Sequence, residues 1–257
     1  GKDRWLNKLE TIPTNNTITI GKRMTGTLYG LGIGPGDPDL ITVKALKRLQ
    51  ATTVLAYPVL EDGDSLARAI IAPHLTTPKT EIAIRIPMTI ERAPAQAAYD
   101  VAAEELCAHL DAGQDVVVLC EGDPFFYGSF MYLFGRIAEK FPVEVIPGVS
   151  SLTACATALQ SPLSARNDIL TVLPAPLPSD ILTARLQETD SAAIMKIGRH
   201  FDRVRKLIFD LGLEKSARYI ERATMENEKI MALEDVPKDA APYFSMILIH
   251  KRGQAWK

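Results

Sequence analysis

The sequence lacks long hydrophobic runs, and this absence limits where the protein can reside. No apolar stretch in its 257 residues approaches the roughly 20 residues that a membrane-spanning helix requires. The N-terminal segment also has no run like the apolar core of a signal peptide. We therefore expect a cytoplasmic protein without a membrane partner.

Cysteine is scarce, with three residues in the whole chain. Cys107, Cys120 and Cys155 are odd in number and have no spacing typical of zinc ligands, so we expect reduced thiols. The four histidines likewise share no ligand spacing. The sequence therefore predicts no protein-bound metal.

The chain has little excess of charge of either sign. With 29 Lys and Arg against 31 Asp and Glu, its formal net charge is -2, which gives no overall attraction to nucleic acid or anionic lipid. Hydrophobic residues at 47% and charged residues at 23% are typical of a globular protein that is long enough for two domains. An anionic ligand must then be bound by a local group of basic residues.

Buried strands that alternate with helical patterns indicate an α/β fold. We expect residues 1–25 to be an N-terminal extension, 26–147 a first α/β domain and 148–257 a second one. In the first domain the predicted strands cover 27–33, 53–57, 81–86, 115–120 and 143–146. Its predicted helices cover 40–50, 65–74, 93–110 and an aromatic segment that ends near 140. This alternation favours a mostly parallel sheet.

The second half has a different pattern, with less regular alternation. Its predicted strands cover 168–173, 192–197, 217–220 and 244–250, and its predicted helices cover 150–159 and 201–211. Pro174, Pro176 and Pro178 are too rigid for a core element and are predicted to form a crossover loop. We expect a mixed sheet in this domain.

Three loops rich in glycine and proline directly follow predicted strands of the first domain. They are Gly34-Pro35-Gly36-Asp37-Pro38, the segment from Glu121 to Gly128, and Pro147-Gly148-Val149-Ser150-Ser151. Glycine lets a backbone approach a ligand closely and leaves its amides free to bind it. Because the carboxyl ends of parallel strands lie at one edge of a sheet, we expect the three loops to form a cleft.

The first loop does not have the pattern of a dinucleotide site. Gly30, Gly32, Gly34 and Gly36 alternate, but no register gives G-x-G-x-x-G, because the last position falls on Pro35 or Asp37. The second strand also ends in Tyr57-Pro58 rather than in a ribose-binding carboxylate. A nicotinamide-dependent oxidoreductase is therefore disfavoured.

At these loops the chain resembles the tetrapyrrole methylase family. The shared motifs are residues 32–38, Gly122-Asp123-Pro124 and residues 147–151, in the order and spacing of the family, and the resemblance covers nearly everything after Thr27. It implies a two-domain enzyme that holds S-adenosylmethionine in the cleft between its domains. It also implies a homodimer.

Within the family, the chain is most similar to the C20-methyltransferases. The similarity lies in residues 120–130, Met195-Lys196-Ile197-Gly198 and Glu221-Arg222-Ala223-Thr224. It implies methyl transfer to C20 of metal-free precorrin-2 or of cobalt-factor II in cobalamin biosynthesis. A related enzyme that methylates another tetrapyrrole carbon, such as one of uroporphyrinogen III, and a non-catalytic tetrapyrrole-binding protein are the alternatives.

The resemblance also implies which residues contact the cofactor, mostly through backbone groups. These residues are Pro35, Glu121, Gly122, Asp123, Ser150, Ser151, Ile197, Ala223 and Ser245. Other roles are open for several of them. Either serine could cap a helix, Asp123 could bond its own turn, and Ile197 and Ala223 could lie in the core.

A tetrapyrrole substrate carries many carboxylates, so basic residues are expected near the cleft. Arg85, at the end of a predicted strand, is the candidate for substrate binding. Weaker candidates are Arg92, Arg166, Lys196 and Arg199. The loops offer four possible proton acceptors without favouring one: Asp37, Glu121, Asp123 and Tyr127.

Overall fold

The computed structural model of the chain describes residues 24–60, 63–87 and 92–253. The predicted N-terminal extension lies outside the described residues, except for its last two positions. The described chain forms two five-stranded sheets, one in each half of the sequence. The predicted α/β fold class is confirmed.

The first sheet is parallel throughout, in the order β3-β2-β4-β1-β5. Its strands are β1 (Leu28–Gly32), β2 (Val54–Val59), β3 (Thr80–Arg85), β4 (Val116–Cys120) and β5 (Val143–Ile146). The helices between them are α1 (Val43–Ala51), α2 (Leu66–Ile71), α3 (Arg92–Asp111) and α4 (Phe130–Ile137). Every residue of β1 and β4 is buried, as expected for central strands covered by helices on both faces.

The second sheet is mixed, in the order β6-β7-β10-β8-β9. Its strands are β6 (Leu170–Pro174), β7 (Ser191–Met195), β8 (Ala217–Glu221), β9 (Lys229–Met231) and β10 (Ser245–His250). Its helices are α5 (Ser151–Ala158), α6 (Ser179–Glu188) and α7 (Phe201–Asp210). β6 and β7 are parallel and the other pairs are antiparallel, so the predicted mixed sheet is confirmed.

Helix α5 packs on the second sheet rather than on the first. Cys155 lies in one buried cluster with Ala193, Ile220, Met246 and Leu248, which come from three strands of that sheet. The helix begins only five residues after β5 ends in the first sheet. The short connection therefore places the N-terminus of α5 between the two sheets.

Some elements differ from the sequence-based expectation. The proline-rich segment begins inside β6, because Pro174 is its last residue, and it leads into α6, which the sequence pattern did not predict. α1 begins at Val43 rather than at 40, because Asp37 caps a separate 3-10 turn over Pro38–Leu40 and Thr42 caps α1 itself. The short strand β9 was also not predicted.

Candidate functional site

The three loops that follow β1, β4 and β5 meet through glycines. The loops after β1 and β4 are joined by a pair of backbone hydrogen bonds, from Gly122 N to Gly34 O at 2.8 Å and from Gly34 N to Gly122 O at 3.3 Å. A Cβ atom on Gly32 would lie 2.5 Å from Gly148 N, and a Cβ on Gly148 would overlap Gly122 O. The prediction that these loops converge is confirmed, and side chains are excluded from their junction.

Asp123 holds this junction together. One of its carboxylate oxygens accepts the backbone amide of Phe125 at 2.9 Å, and the other accepts the amide of Gly148 at 2.9 Å. The first bond shapes its own turn, and the second connects the loop after β4 to the loop after β5. Because both oxygens accept backbone amides, this side chain is a structural element of the loops and a poor candidate for a proton acceptor.

Ser150 is the N-cap of α5. Its hydroxyl oxygen accepts the amide of Leu152 at 3.1 Å, and its backbone is extended, as is usual for a capping residue. The helix therefore begins at Ser151, directly beside Gly122, whose added Cβ would lie 3.9 Å from Ser151 N. The capping role of Ser150 is confirmed, and it leaves the helix N-terminus facing the loop after β4.

The opposite side of the cleft is formed by the second sheet. β7 and β8 end at the same edge at which β10 begins, because β10 is antiparallel to both. Lys196 and Arg222, directly after β7 and β8, have left-handed backbones with φ of 57° and 47°. Tyr127 faces them from the first half with φ of 53°. Non-glycine residues with such φ values cluster at functional sites.

A cavity of about 260 Å³ lies between the three loops and this edge of the second sheet. Eight of the residues predicted to contact a cofactor line it: Pro35, Glu121, Gly122, Asp123, Ser150, Ser151, Ala223 and Ser245. The volume is close to the lower end of small-molecule sites, roughly 300 Å³. The structure thus brings together residues that are up to 210 positions apart in the chain.

Two predicted residues lie away from the cavity lining. The side chain of Ile197 is fully buried in the core of the second sheet, whereas its neighbours Met195 and Lys196 line the cavity. Arg85 is exposed at the end of β3, the edge strand of the first sheet, and is not part of the lining. The core role considered for Ile197 is therefore the one that its side chain has.

The other candidates named from sequence are divided in the same way. Of the weaker basic candidates, Lys196 lines the cavity and Arg92, Arg166 and Arg199 do not. Of the possible proton acceptors, Asp37 does not line the cavity. Its side chain accepts a hydrogen bond from the amide of Asp39 and thereby caps a 3-10 turn. Glu121 and Tyr127 remain in the cavity with Asp123.

Glu121 and Tyr243 are coupled electrostatically across the cavity. Burial raises the pKa of the Glu121 carboxyl, although the amides of Glu121 and Ala67 favour the ionised form. Partial burial and the nearby charge of Glu121 raise the pKa of Tyr243, a residue that is still 52% exposed. Burial also raises the pKa of the Cys155 thiol to about 12. The cavity therefore disfavours added negative charge on its own side chains.

Tyr127 and Lys196 form a contact across the cleft. The Lys196 ammonium lies 5.1 Å from the centroid of the Tyr127 ring, within the range of a cation–π interaction. Tyr127 belongs to the loop after β4 and Lys196 follows β7, so the contact connects the two halves of the chain. Both residues line the cavity.

Sequence reasoning missed much of the wall that the second sheet contributes. The lining residues of the second half that were not singled out as site residues include Arg222, Met225, Tyr243, Phe244 and Met246. A signal was available for Arg222, which lies inside the motif Glu221-Arg222-Ala223-Thr224. Tyr243 and Phe244 directly precede β10, and no local pattern indicates that this strand end faces the cleft.

The described residues contain no group of three or more His, Cys, Asp or Glu side chains arranged to hold a metal ion. Within the same ranges, no helix has both the length and the apolarity needed to cross a membrane.

The sequence profile of the tetrapyrrole (corrin/porphyrin) methylases matches residues 27–236, which is most of the chain. The chain belongs to the tetrapyrrole methylase family. The match includes the three loops of the cleft and the strands β7 and β8 that face them. The residues that match the family profile therefore include parts of both sides of the cavity.

Relatives in this tetrapyrrole methylase family are similar over nearly the whole chain. The chain is 41% identical over 232 residues to a precorrin-2 C(20)-methyltransferase of Sinorhizobium sp, which covers 87% of the chain and 95% of the relative. It is 33% identical over 234 residues to a cobalt-precorrin-2 C(20)-methyltransferase of Salmonella typhimurium, which covers 90% and 99%. It is also 39% identical over 232 residues to the cobalamin biosynthesis protein CobIJ of Mycobacterium tuberculosis, of which it spans only 46%.

Solved structures of tetrapyrrole methyltransferases have the same fold. A cobalt precorrin-4 methyltransferase, CbiF, superposes with a TM-score of 0.65 at 26% identity, covering 87% of this chain and 94% of that one. The uroporphyrin-III C-methyl transferase of Thermus thermophilus, in complex with S-adenosyl homocysteine, has a TM-score of 0.64 at 24% identity, covering 88% and 99%. The latter similarity shows the fold alone.

Proposed function

We propose that this chain transfers the methyl group of S-adenosylmethionine to C20 of precorrin-2 or of its cobalt-bearing counterpart in cobalamin biosynthesis. The observation that carries the proposal is the cavity, because most of its lining residues lie in the part of the chain that matches the family. The relatives that support the choice of C20 are 33% to 41% identical and extend over most of the chain. By their names, the first acts on precorrin-2 and the second on cobalt-precorrin-2.

The residues that line the cavity suit the chemistry of the cofactor. A Cβ on Gly122 would point towards Val149 O and Ser150 Cα at 3.8 and 3.9 Å, so a side chain there would occupy the gap between these loops. Apolar side chains on the opposite wall, among them Ala223 and Met246, suit a nucleoside base. We propose that the backbone of residues 121–123 and 150–151 holds the cofactor, with Pro35, Ala223, Ser245 and the backbone of Ile197 around it.

The cofactor supplies an electrophilic sulfonium methyl group, to which the nucleophilic C20 bonds as the bond from sulfur to methyl breaks. The residues of the chain contribute alignment, because a fixed geometry of reactants can remove roughly 7–11 kcal/mol from a barrier. The loop after β4 also places Glu121 and Tyr127 in the cavity, and we propose that one of them accepts the proton that leaves C20.

Aromatic residues at the mouth of the cavity support a flat substrate. Tyr127 and Phe126 come from the loop after β4, and Tyr243 and Phe244 precede β10 on the other side. Tyr127, Tyr243 and Phe244 remain exposed by 41%, 52% and 45%, so their rings are available for stacking against a macrocycle. Arg85 remains a proposed contact for a substrate carboxylate farther from the cavity.

Three further expectations accompany this function. We propose a division of the chain into an extension at 1–25 and domains at 26–147 and 148–257, supported by the packing of α5 on the second sheet. We also propose a homodimer and a cytoplasmic location. Gel filtration that gives a monomer mass would argue against the dimer.

The cofactor site is tested by calorimetry with S-adenosylhomocysteine on the wild type and on Gly122→Arg. The variant should lose binding, because its side chain enters the gap between the loops. Gly212→Arg is the matched control, since Gly212 has φ of 67° against 64° for Gly122 and meets no atom within 4 Å of an added Cβ. Failure of the wild type to bind the ligand would contradict the proposal.

The reaction is tested with S-adenosylmethionine that carries ¹³C in its methyl group. Precorrin-2, cobalt-factor II and uroporphyrinogen III are supplied separately, and the labelled carbon is located in each product. A single new methyl group on C20 is the expected result. A methyl group on another carbon would replace the proposal by a related methyltransferase, and binding of a tetrapyrrole without any transfer would favour a carrier.

A further inference from the structure

Arg222 is a charged residue in the cavity that has few partners. It follows β8, its φ of 47° is left-handed, and its backbone amide donates to Phe244 O at 2.8 Å. Its side chain is 33% exposed and lines the cavity. Among the described residues its guanidinium makes one polar contact, from Nη1 to Glu221 Oε2 at 3.3 Å.

Two other arginines of similar burial show what such a side chain usually obtains inside this protein. Arg136, which is 24% exposed, donates hydrogen bonds to Asp100, to the carbonyls of Tyr132 and Gln96, and to the Gln96 side chain. Arg205, which is 22% exposed, donates to Asp202 and to two carbonyls. The guanidinium of Arg222 is partly buried but makes only one long contact, so it has hydrogen-bond donors left that a ligand can use.

The buried carboxylate of Glu221 contacts the Arg222 guanidinium and orients it. Glu221 is 4% exposed, and its Oε1 accepts the hydroxyl of Tyr219 at 2.8 Å, while Oε2 faces Arg222. Tyr219 is fully buried in the core of the second sheet. Because the core fixes Tyr219 and Tyr219 fixes the carboxylate, the guanidinium is oriented before any ligand arrives.

We propose that Arg222 binds a carboxylate of the ligand that occupies this cavity. The planar guanidinium forms two parallel hydrogen bonds to a carboxylate, and such charge-assisted bonds are among the stronger ones in proteins. The inference rests on the proposed function, in which both reactants carry this group. The carboxylate comes from the amino-acid end of the cofactor or from an acidic side chain of the tetrapyrrole, and binding measurements separate the two sources.

The test uses the full chain with Arg222→Met and Arg222→Lys. Methionine keeps an unbranched side chain at the left-handed position but removes the charge, and lysine keeps the charge but removes the planar fork. Arg218→Met is the matched control, because Arg218 lies on the same strand, is exposed, and donates only to the nearby carbonyls of Lys215 and Ala217. Binding of S-adenosylhomocysteine and of 5′-methylthioadenosine is measured by calorimetry, and binding of the tetrapyrrole by absorbance titration.

Either of two results supports the proposal. If the cofactor is the source, Arg222→Met weakens S-adenosylhomocysteine binding about 10-fold to 100-fold and leaves 5′-methylthioadenosine, which lacks the amino acid, unchanged. If the substrate is the source, the tetrapyrrole dissociation constant rises by a similar factor and both nucleosides bind normally. Arg222→Lys should lie between the wild type and Arg222→Met in the affected measurement, and Arg218→Met should match the wild type.

Two other results overturn it. Unchanged affinity for all three ligands means that the guanidinium contacts none of them. Equal weakening of S-adenosylhomocysteine and 5′-methylthioadenosine means that the substitution disturbs the cavity without any dependence on a carboxylate. A wild type that binds these ligands but methylates no tetrapyrrole would refute the proposed function, and the binding measurements on Arg222 would still stand.

Discussion

The backbone amide of Asp37 donates a hydrogen bond of 3.0 Å to the side-chain hydroxyl of Thr224. The bond joins the loop after β1 to the loop after β8, which lie 187 positions apart in the sequence. Thr224 has φ of 71°, which is rare for a β-branched residue. An added Cβ on Gly36 would lie 2.5 Å from Met225 Cγ, so the two loops are in close contact. This hydrogen bond and this close contact thus connect the two halves of the chain beside the cavity.

Replacement of Thr224 by valine should loosen this connection. Valine keeps the branched shape, and with it the backbone strain, but leaves the Asp37 amide without its acceptor, at a cost of about 1–3 kcal/mol in unfolding free energy. We also expect weaker binding of S-adenosylhomocysteine. Thr224→Ser keeps the hydroxyl and should bind like the wild type. Urea unfolding and calorimetry measure both effects, and a valine variant equal to the serine variant in both would contradict the expectation.

The glycine junction predicts a large difference between two substitutions of the same kind. Gly148→Ala places a methyl group against the backbone of Gly122 and should destabilise the fold by about 1–3 kcal/mol or more. Gly135→Ala, inside α4 with no atom within 4 Å of the new methyl group, should stabilise it by about 0.5–1 kcal/mol. Thermal unfolding of both variants checks the sign. A neutral Gly148→Ala would mean that the loops separate easily.

Glu121 predicts a dependence of stability on pH. Because burial raises its pKa above the ordinary value of 4.5, the folded state holds this proton more tightly than the unfolded state does. The carboxyl group therefore makes the free energy of unfolding fall as pH rises from about 4.5 through the raised pKa. Glu121→Gln removes this term and should be more stable than the wild type at about pH 8, with the difference disappearing near pH 4.

The control for this comparison is Glu104→Gln, which removes a negative charge from an exposed position on α3. The free energy of unfolding is measured by urea titration across the pH range. A difference between wild type and Glu121→Gln that does not change with pH would contradict a buried carboxyl as the cause.

The cavity thiol should be chemically inert while the protein is folded. The reactive form of cysteine is the thiolate, and burial raises the pKa of Cys155 to about 12, so this form is nearly absent at neutral pH. Iodoacetamide should label Cys155 only after unfolding, whereas Cys107, which is partly exposed, should react first. Peptide mass spectrometry gives the order. Early labelling of Cys155 in the folded protein would show that the cavity is more open to reagents.

The first half of the molecule could be predicted well because its signals are local. β5 occurs at the predicted residues, and the three loops were recognisable because tight turns and close backbone contacts require glycine. The parallel sheet followed from the alternation of strands and helices. In a parallel sheet the carboxyl ends of the strands lie at the same edge. The convergence of the three loops could therefore be predicted without knowledge of any side-chain contact.

The second half shows where such reasoning stops. α6 follows directly on a proline-rich segment that suggested only a loop, although Leu182 and Leu186 provide a buried face four residues apart. Ile197 and Lys196 are neighbours in a motif, yet one side chain lies in the core and the other in the cavity. That division depends on the left-handed backbone at Lys196, which no residue preference of lysine indicates. Tyr243 and Phe244 reach the site only through the pairing of β10.

The central position of β10 also bears on the order of events during synthesis. β10 is the last strand of the described chain, but it lies between β7 and β8 in the middle of the second sheet. On the ribosome, the pair β6–β7 and the pair β8–β9 emerge before the strand that unites them. Ser245 and Met246, at the start of β10, line the cavity. The ligand pocket is therefore complete only after residue 250 has left the exit tunnel.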